Sequence, residues 1–444
     1  RAFLLWLGLV FLYLFVFKLL DLSRAFVIIT VTGIGAGLLV NRIAYLLVRY
    51  YFRDKEYLTK KVIIIGYNEP AKKLAALMTN SIRFHGHNFA EDGRFLNPED
   101  PDGHEGPHFH GNSCALISMI DFAIAAQDED LKAFVKKSYE WARNTGSPTV
   151  GFFPEYIQPK YRSTELCAVA DMITLALKLS KAGVGDYWDD ADRWIRNQFA
   201  EGQLTKIDWI YDVAGKMRKI PKRGGGLAID PHKTLEPGRF TDYLVPERSL
   251  GCFAGWTTPN DWGGGSMSLM HCCVGNSART LYSIWESIMD CEQGNLRVNL
   301  LLNGASQWAD VYSHIPSEGK VTIKIKNSLS DVSVRMPEWI ESDSSEVKGT
   351  VNNVERPVLW NGRYISAGPV ASGDIVNVYF PIIERTVRER IAEKTYTLLI
   401  KGNTVLSMEP PGRYCPQYQS RRHKARQLVW RPATRFVGTH SLDN

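Results

Sequence analysis

The chain has 444 residues, and its 53 lysines and arginines against 47 aspartates and glutamates give a formal net charge of +6. Residues 1–61 hold nine of the basic and three of the acidic residues, which leaves 44 of each and a neutral remainder. A neutral remainder gives no electrostatic reason to expect nucleic acid as a partner, and the length predicts several domains.

Two apolar runs, Ala2–Leu20 and Ala25–Val48, open the chain, with charged or amide side chains at only three positions. Each run is long enough to cross a hydrocarbon core of about 30 Å as a helix. A signal peptide is disfavoured because the first run is too long and lacks a small-residue cleavage site. We therefore predict two transmembrane helices in residues 1–52, with membrane contact through residues 1–48. Basic residues after the second run predict an inner-membrane protein with the remaining chain on the cytoplasmic side.

Residues 53–80 begin like a nucleotide-binding βα unit and form a truncated, Rossmann-like fragment. A β-branched strand, Val62–Ile65, ends at Gly66 and is followed by a helical pattern. Only one glycine of a dinucleotide fingerprint is present, so a packed strand and helix without a nucleotide is the better interpretation. Residues 1–80 together resemble the membrane and nucleotide-fold start of bacterial polyprenyl-phosphate sugar phosphotransferases. That family's catalytic domain has no counterpart later in the chain.

The composition changes near Ser81, and the βαβ unit is never completed. We therefore predict a boundary near Ser81 between two unrelated segments. Beyond it the hydrophobic period is that of helices, predicted at Asn112–Gln127, Asp128–Gly146, Thr164–Lys181, Asp186–Phe199 and Ser266–Asp290. Helices paired by short loops, with long loops at one end, predict a partial α/α toroid in residues 81–292.

From Leu296 onward the hydrophobic period changes to two. Val321–Lys326, Val332–Arg335 and Ile375–Phe380 alternate between apolar and polar residues and are separated by turn residues. Short alternating strands of this kind are typical of an antiparallel β-sandwich, which we predict for residues 293–444.

Two short motifs contain the residues best suited to chemistry. They are Thr164-Glu-Leu-Cys167 and His271-Cys-Cys-Val-Gly-Asn-Ser-Ala-Arg279. Three thiols and one carboxylate form a complete ligand set for tetrahedral zinc. Spacing alone favours the alternative that these cysteines are small buried hydrophobes, because 105 residues separate Cys167 from Cys272. The odd total of seven cysteines does not suggest a secreted disulfide framework.

The combination of motifs in residues 81–444 resembles the β-L-arabinofuranosidase family of zinc-dependent cysteine glycoside hydrolases. The motifs are Glu-x-Cys with Ala-Val-Ala-Asp, Arg196-Asn197, Cys-Cys-x-x-Asn-x-x-Arg, Asn299–Asn303, Arg335–Trp339 and Gly373-Asp374. The resemblance implies a six-hairpin toroid, of which about half is expected to be absent from this chain. It also implies a pocket left open by the truncation, so an inactive enzyme is one outcome to test.

The resemblance further implies that zinc is bound by Glu165, Cys167, Cys272 and Cys273, with Cys272 also the nucleophile. A retaining mechanism needs in addition a carboxylic acid about 5 Å from the nucleophile. Glu155 is the candidate, because two aromatic residues and a proline precede it and make an apolar setting. Its distance in sequence from the Glu-x-Cys motif is shorter than the family pattern, and a solvated loop carboxylate is the alternative.

Four further residues are candidates for substrate contact: His108, His110, Trp256 and Asn276. A histidine pair two residues apart can instead bind metal or cap the following helix, and a tryptophan in a loop can simply be packed. These alternatives stay open at the level of sequence.

The sequence therefore predicts a retaining glycoside hydrolase that acts on a furanoside in an oligosaccharide or glycoside, with Zn²⁺ as cofactor. One alternative is a remnant of a membrane sugar phosphotransferase fused to a non-catalytic domain. Another is a zinc-stabilised carbohydrate-binding scaffold without activity. No nucleic-acid partner is expected, and the oligomeric state is open because a half toroid can pair with a second chain.

Overall fold

The computed structural model describes residues 88–97, 106–158, 161–217, 245–262 and 269–419. All of them belong to one compact unit, residues 72–444. The predicted transmembrane helices and the predicted βα fragment lie outside the described residues, so the membrane location stays a prediction. Among the described residues one helix, Phe109–Ala126, has the length and hydropathy of a membrane span, and eight of its residues are buried in the protein.

The structure has seven α-helices among the described residues. They are α1 Phe109–Ala126, α2 Glu129–Arg143, α3 Leu166–Lys181, α4 Trp188–Trp194, α5 Asp208–Met217, α6 Val245–Arg248 and α7 His271–Ile288. Helices α1 to α4 and α7 correspond to the five predicted ones with shifted ends, whereas α5 and α6 were not predicted. Asp128 caps α2 by accepting a hydrogen bond from the backbone N–H of Leu131 at 2.9 Å. Such a cap satisfies one of the free donors at a helix start.

Helix α3 is the centre of the helical part and packs against α1, α4 and α7. Thirteen of its sixteen residues are buried, which explains why its sequence is apolar on every side. Side-chain contacts between α3 and α7 follow the same order along both helices. They are Cys167–Cys273, Asp171–Asn276 and Thr174–Thr280. The two helices therefore run in the same direction, with their N-terminal ends side by side.

Helix α1 has the same direction, because its contacts with α3 advance from Ser113–Asp171 to Asp121–Lys178. Helices α2 and α4 return the chain after short loops. Three parallel helices thus bring their N-terminal ends to one side of the helical part.

The strands follow mostly after α7, where the period of two was predicted. They are β1 Thr164–Glu165, β2 Trp256–Thr257, β3 Met289–Glu292, β4 Asn295–Val298, β5 Gly304–Ala305, β6 Ala309–Ser313, β7 Lys320–Ile325, β8 Asp331–Arg335, β9 Lys348–Val351, β10 Val354–Arg356, β11 Leu359–Asn361, β12 Tyr364–Ser366, β13 Ile375–Tyr379, β14 Glu384–Ile391, β15 Lys394–Lys401 and β16 Thr404–Glu409.

Two larger sheets lie in the region where a β-sandwich is predicted. One has the order β10-β9-β13-β7-β6-β5 and the other β11-β12-β8-β4-β3, with only β4 and β8 parallel. Their alternating apolar residues share one core, for example Val321 and Ile323 of β7 with Val332 and Val334 of β8. A separate three-stranded sheet, β14-β15-β16, has its own small core and packs on the helical part through Val150 and Phe152.

A buried ion-pair network joins the helical part to the sandwich. Arg335, 5% exposed, donates to Asp189 at 2.6 Å and to Asp186 at 2.8 Å. Asn197 lies in the π-helical turn Ile195–Phe199 and accepts from the backbone N–H of Val405 at 2.9 Å. Val405 belongs to β16, so Asn197 joins the helical part to the three-stranded sheet, whereas Arg335 joins it to the sandwich. Motifs around Arg196-Asn197 and Arg335–Trp339 therefore have structural roles at these two interfaces.

Replacing Arg335 with alanine is expected to lower the free energy of unfolding by about 3–5 kcal/mol, because the substitution leaves the buried Asp189 carboxylate without its counter-ion. Urea unfolding of the variant against wild type measures this loss. Arg388→Ala is the matched control: Arg388 is exposed on β14, and the change should stay within about 0.5 kcal/mol. Equal losses in the two variants would contradict the role of the network.

Candidate metal centre and active site

Four side chains that are far apart in sequence converge at the N-terminal ends of α3 and α7. The ligand atoms of Glu165, Cys167, Cys272 and Cys273 all lie within 4.8 Å of one another. The Sγ atoms of Cys167 and Cys273 are 3.4 Å apart, and those of Cys272 and Cys273 are 3.8 Å apart. Oε1 of Glu165 lies 3.4 Å from Cys273 Sγ and 3.7 Å from Cys272 Sγ. All three cysteines are free thiols.

These separations match the edges of a zinc tetrahedron. Bonds of about 2.3 Å to sulfur and about 2.0 Å to oxygen place two sulfurs about 3.8 Å apart, and a sulfur and an oxygen about 3.5 Å apart. The four observed edges range from 3.4 to 3.8 Å. The cluster could therefore hold a metal ion, and its thiolate-rich donor set suits zinc better than Mg²⁺ or Ca²⁺.

Local structure explains how the cluster is assembled. Glu165 is the residue before the first turn of α3, and its backbone pairs with Trp256 in the short β1–β2 ladder. Cys272 and Cys273 are the second and third residues of α7. Helix N-terminal ends carry partial positive charge and unpaired N–H groups, so both helices stabilise negative charge at the cluster.

The electrostatics of the cluster reflect the crowding of acidic groups in a buried place. A hydrogen bond with Cys273, together with burial, raises the pKa of the Cys167 thiol far above its ordinary value. Burial and the neighbouring Cys273 also raise the pKa of Cys272. For Glu165 burial acts upward, but the hydrogen bond from His108 and the nearby His110 outweigh it, and its pKa is lowered. A bound cation would relieve the repulsion among these groups.

A second group of ligand-type residues adjoins the first through Glu165. Nε2 of His108 lies 2.9 Å from Oε2 of Glu165, so the two oxygens of this carboxylate face different partners. The ligand atoms of His108, Glu155 and Glu165 lie within 4.8 Å of one another. Glu155 is 9% exposed and accepts a hydrogen bond from the hydroxyl of Tyr161. The alternative that Glu155 is a solvated loop carboxylate is therefore wrong.

Asp171 lies beneath the cluster and ties α1, α3 and α7 together. Its carboxylate is fully buried, four residues after Cys167 on α3. The carboxylate accepts hydrogen bonds from the hydroxyl of Ser113 at 2.8 Å, the ring of His110 at 2.7 Å and the amide of Asn276 at 2.8 Å. Arg279 approaches it at 3.4 Å. Burial lowers the pKa of His110, but the bond to Asp171 outweighs burial and raises it.

The structure brings the predicted residues together in two layers. Glu165, Cys167, Cys272, Cys273 and Glu155 form the cluster and its edge. The predicted substrate contacts His108, His110 and Asn276 have protein partners beside it, so their contact with a sugar remains a prediction.

Trp256 is half-buried next to Glu165, and its indole nitrogen is enclosed without a hydrogen-bond partner in the described part of the chain. Its role as a substrate contact also remains a prediction. Trp262 has a packing role, because its indole donates to the carbonyl of Gly202 at 3.0 Å.

Three residues beside the cluster, Asp171, Arg279 and Tyr161, were not predicted as site residues from the sequence. Asp171 had a visible signal, since it is the one charged residue in the apolar stretch that follows Cys167. For Arg279 the signal was its spacing from the predicted Asn276, because residues three apart share a helix face. Tyr161 had none: its contact with Glu155 depends on the path of a loop.

Comparison with known proteins supports the fold. No known family profile matches the sequence, and no curated protein is similar enough in sequence to count as a relative. A solved GH127 β-arabinofuranosidase is similar in structure, with a TM-score of 0.50, 15% identity, and coverage of 76% of this chain and 53% of that one.

Two further solved structures are more distant. A GH127 β-L-arabinofuranosidase from Geobacillus stearothermophilus T6 has a TM-score of 0.43 and 16% identity, over 67% of this chain and 46% of its own. A protein described as a glycoside hydrolase has a TM-score of 0.48 and 15% identity, over 76% and 57%. The chain thus spans about half the length of the solved structures it matches.

Replacing Asp171 with asparagine is expected to weaken metal binding about 10- to 100-fold, because it removes the charge that aligns α3 with α7 behind the ligands. Competition with a chromogenic chelator measures the affinity. Asp121→Asn is the matched control: Asp121 joins the same α1–α3 pair through an exposed bond to Lys178 of 2.5 Å. Unchanged affinity in a folded Asp171→Asn protein would contradict the positioning role.

Proposed function

We propose that the chain is a retaining glycoside hydrolase that acts on a furanoside, of the β-L-arabinofuranosidase type, with a zinc-bound cysteine nucleophile. The observation that carries the proposal is the convergence of Glu165, Cys167, Cys272 and Cys273 within 4.8 Å, with Glu155 at the edge of the same cluster. The similarity in fold to a GH127 β-arabinofuranosidase supports it. The three parallel helices are compatible with the inner helices of a partial α/α toroid.

Exposure supports Cys272 as the nucleophile. Cys167 and Cys273 are fully buried, whereas Cys272 is partly exposed. A substrate can therefore reach only one of the three thiols, and the other two are suited to holding a metal. Zinc bound by the four ligands would keep the Cys272 thiol deprotonated at neutral pH.

The proposed reaction proceeds in two steps. In the first, the sulfur of Cys272 attacks the anomeric carbon, the bond to the leaving oxygen breaks, and Glu155 gives that oxygen its proton. In the second, the Glu155 carboxylate takes a proton from water, whose oxygen attacks the same carbon and releases the Cys272 thiolate. Two displacements at one carbon retain its configuration.

Tyr161 and His108 are positioning residues in this scheme. The Tyr161 hydroxyl holds the Glu155 carboxyl group, and His108 fixes Oε2 of Glu165 while Oε1 faces the thiols. Hydrogen-bonded ligand carboxylates keep their orientation towards a metal.

The remaining alternatives make different predictions. A carbohydrate-binding scaffold would bind zinc without any role for Glu155. A fused remnant of a sugar phosphotransferase requires neither the thiol cluster nor its alignment by Asp171. The location of the enzyme region on the cytoplasmic side of the inner membrane is part of the proposal.

Metal content tests the first half of the proposal. The purified chain is expected to contain about one zinc ion, and Cys272→Ser should lower its content or affinity by removing one of four ligands. Elemental analysis and chelator competition measure both. Cys291→Ser is the control, because Cys291 lies on β3, outside the cluster. A folded wild-type chain without zinc would remove the metal–thiolate mechanism.

Glu155→Gln tests the second half. It is expected to lower kcat on a furanoside about 10²- to 10⁴-fold, because the proton donor is lost. An aryl furanoside with a good leaving group should be affected less in the first step, and added azide should restore turnover with retained configuration.

Glu140→Gln is the matched control for this variant, since Glu140 also accepts a tyrosine hydroxyl, that of Tyr187 at 2.5 Å, but on an exposed surface. Activity of Glu155→Gln equal to wild type would contradict the assigned role. Zinc binding without any furanoside hydrolysis would favour the scaffold alternative.

A further inference from the structure

A cleft of about 470 Å³ lies outside the cysteine cluster, beside the β14–β15 hairpin. Its lining includes Arg162, Asn260, Lys394, Tyr396, Arg413 and Tyr414. The volume is in the range of sites that bind small molecules or single sugar units. Its exposed side chains include Lys394, Arg413 and Tyr414, and exposed cations beside a phenol ring suit a charged, hydroxyl-rich ligand.

Two cations in this cleft lie over aromatic rings rather than beside carboxylates. Nζ of Lys394 is 5.3 Å from the ring centre of Tyr396, and the guanidinium of Arg413 is 5.2 Å from that of Tyr414. Within the described part of the chain, no ion pair is formed by either cation. Cation–ring contacts leave the hydrogen-bond donors of the cation available to a ligand.

The two carboxylates in the lining are already used by the protein. Asp261 accepts the backbone N–H groups of Arg413, Tyr414 and Cys415 at 2.7, 2.9 and 2.7 Å, which shapes the loop. Glu393 pairs with Arg162 at 3.7 Å. With Arg162, Lys394 and Arg413 against these two carboxylates, the lining has an excess of one positive charge.

A second cleft adjoins the first, and its lining includes the hydrogen-bond partner of the proposed acid. This second cleft, of about 340 Å³, is lined by Pro154 and Tyr161, and it shares Ala392 and Glu393 with the first. Tyr161 is the residue that donates to Glu155. The proposed acid protonates the leaving oxygen, so a ligand in these clefts would lie on the leaving-group side of the scissile bond.

We propose that this cleft binds an anionic sugar residue of the substrate, with a carboxylate or sulfate group held by Lys394 and Arg413. The planar guanidinium matches a two-oxygen anionic group, and the exposed ring of Tyr414 offers an apolar face to the sugar carbons. The assignment to the leaving-group side rests on the proposed function, whereas the binding of an anionic sugar does not.

Calorimetric titration of the full-length chain tests the proposal with three probes: trigalacturonate, a sulfated trisaccharide and neutral galactotriose. None is a furanoside, so turnover does not interfere. At least one anionic probe is expected to bind about tenfold more tightly than galactotriose at low salt, and 0.5 M NaCl should weaken that binding. Tight binding of trigalacturonate alone identifies a uronate site, and equal binding of the sulfated probe identifies charge as the determinant.

Arg413→Gln and Lys394→Gln are each expected to weaken the anionic probe about five- to tenfold. The matched controls are Arg297→Gln and Lys320→Gln, which also lie over tyrosine rings, at 5.2 and 5.1 Å, but do not line the cleft. These should leave binding unchanged.

Equal binding of neutral and anionic probes, or no effect of the cleft variants, would overturn the proposal. Anionic binding without furanoside hydrolysis would keep the site and remove only its place relative to the scissile bond. Hydrolysis without anionic binding would keep the proposed function and overturn this inference.

Discussion

The parallel alignment of α3 and α7 is the constraint on which the site depends. Each helix contributes ligands from its N-terminal end, and a slip of one residue between the helices would turn the thiols away from one another. The buried Asp171 carboxylate opposes such a slip by accepting from Asn276 and approaching Arg279 of α7, while it holds Ser113 and His110 of α1. A buried charge with this many donors is costly to disturb, because each lost partner leaves it unsatisfied.

Hydrogen bonds and ion pairs of buried polar groups also join the helices to the sandwich and to the three-stranded sheet. Arg335 pairs with Asp186 and Asp189, and Asn403 donates to Asp189 and Asp192 at 3.2 and 3.0 Å. The motifs around Arg196-Asn197 and Arg335–Trp339, which accompany the candidate metal ligands in the family resemblance, therefore have a structural role. These motifs stabilise the fold, whereas the Glu-x-Cys and Cys-Cys motifs contain the candidate metal ligands.

In the proposed function, the substrate is bound by a different part of the chain from the candidate metal ligands. The β14–β15 hairpin and the loop held by Asp261 form the cationic cleft, and Tyr161 lines the adjoining cleft and donates to Glu155. The catalytic step and the choice of substrate can therefore vary separately, as is common where loops surround a rigid scaffold.

By itself the sequence determined five of the helices and the main strands, because hydrophobic period is a local property. The four candidate ligands came from the resemblance of their motifs to a family, since spacing alone favoured small buried hydrophobes. The sequence also indicated Glu155, through an apolar setting that the structure shows as burial. Only the tertiary structure decided that Cys167 and Cys273 lie 3.4 Å apart, that Asp171 aligns the helices, and that Tyr161 reaches Glu155. These contacts join residues far apart in the chain or depend on a loop, so the packing of whole helices and the path of the backbone set them, and no short pattern encodes either one.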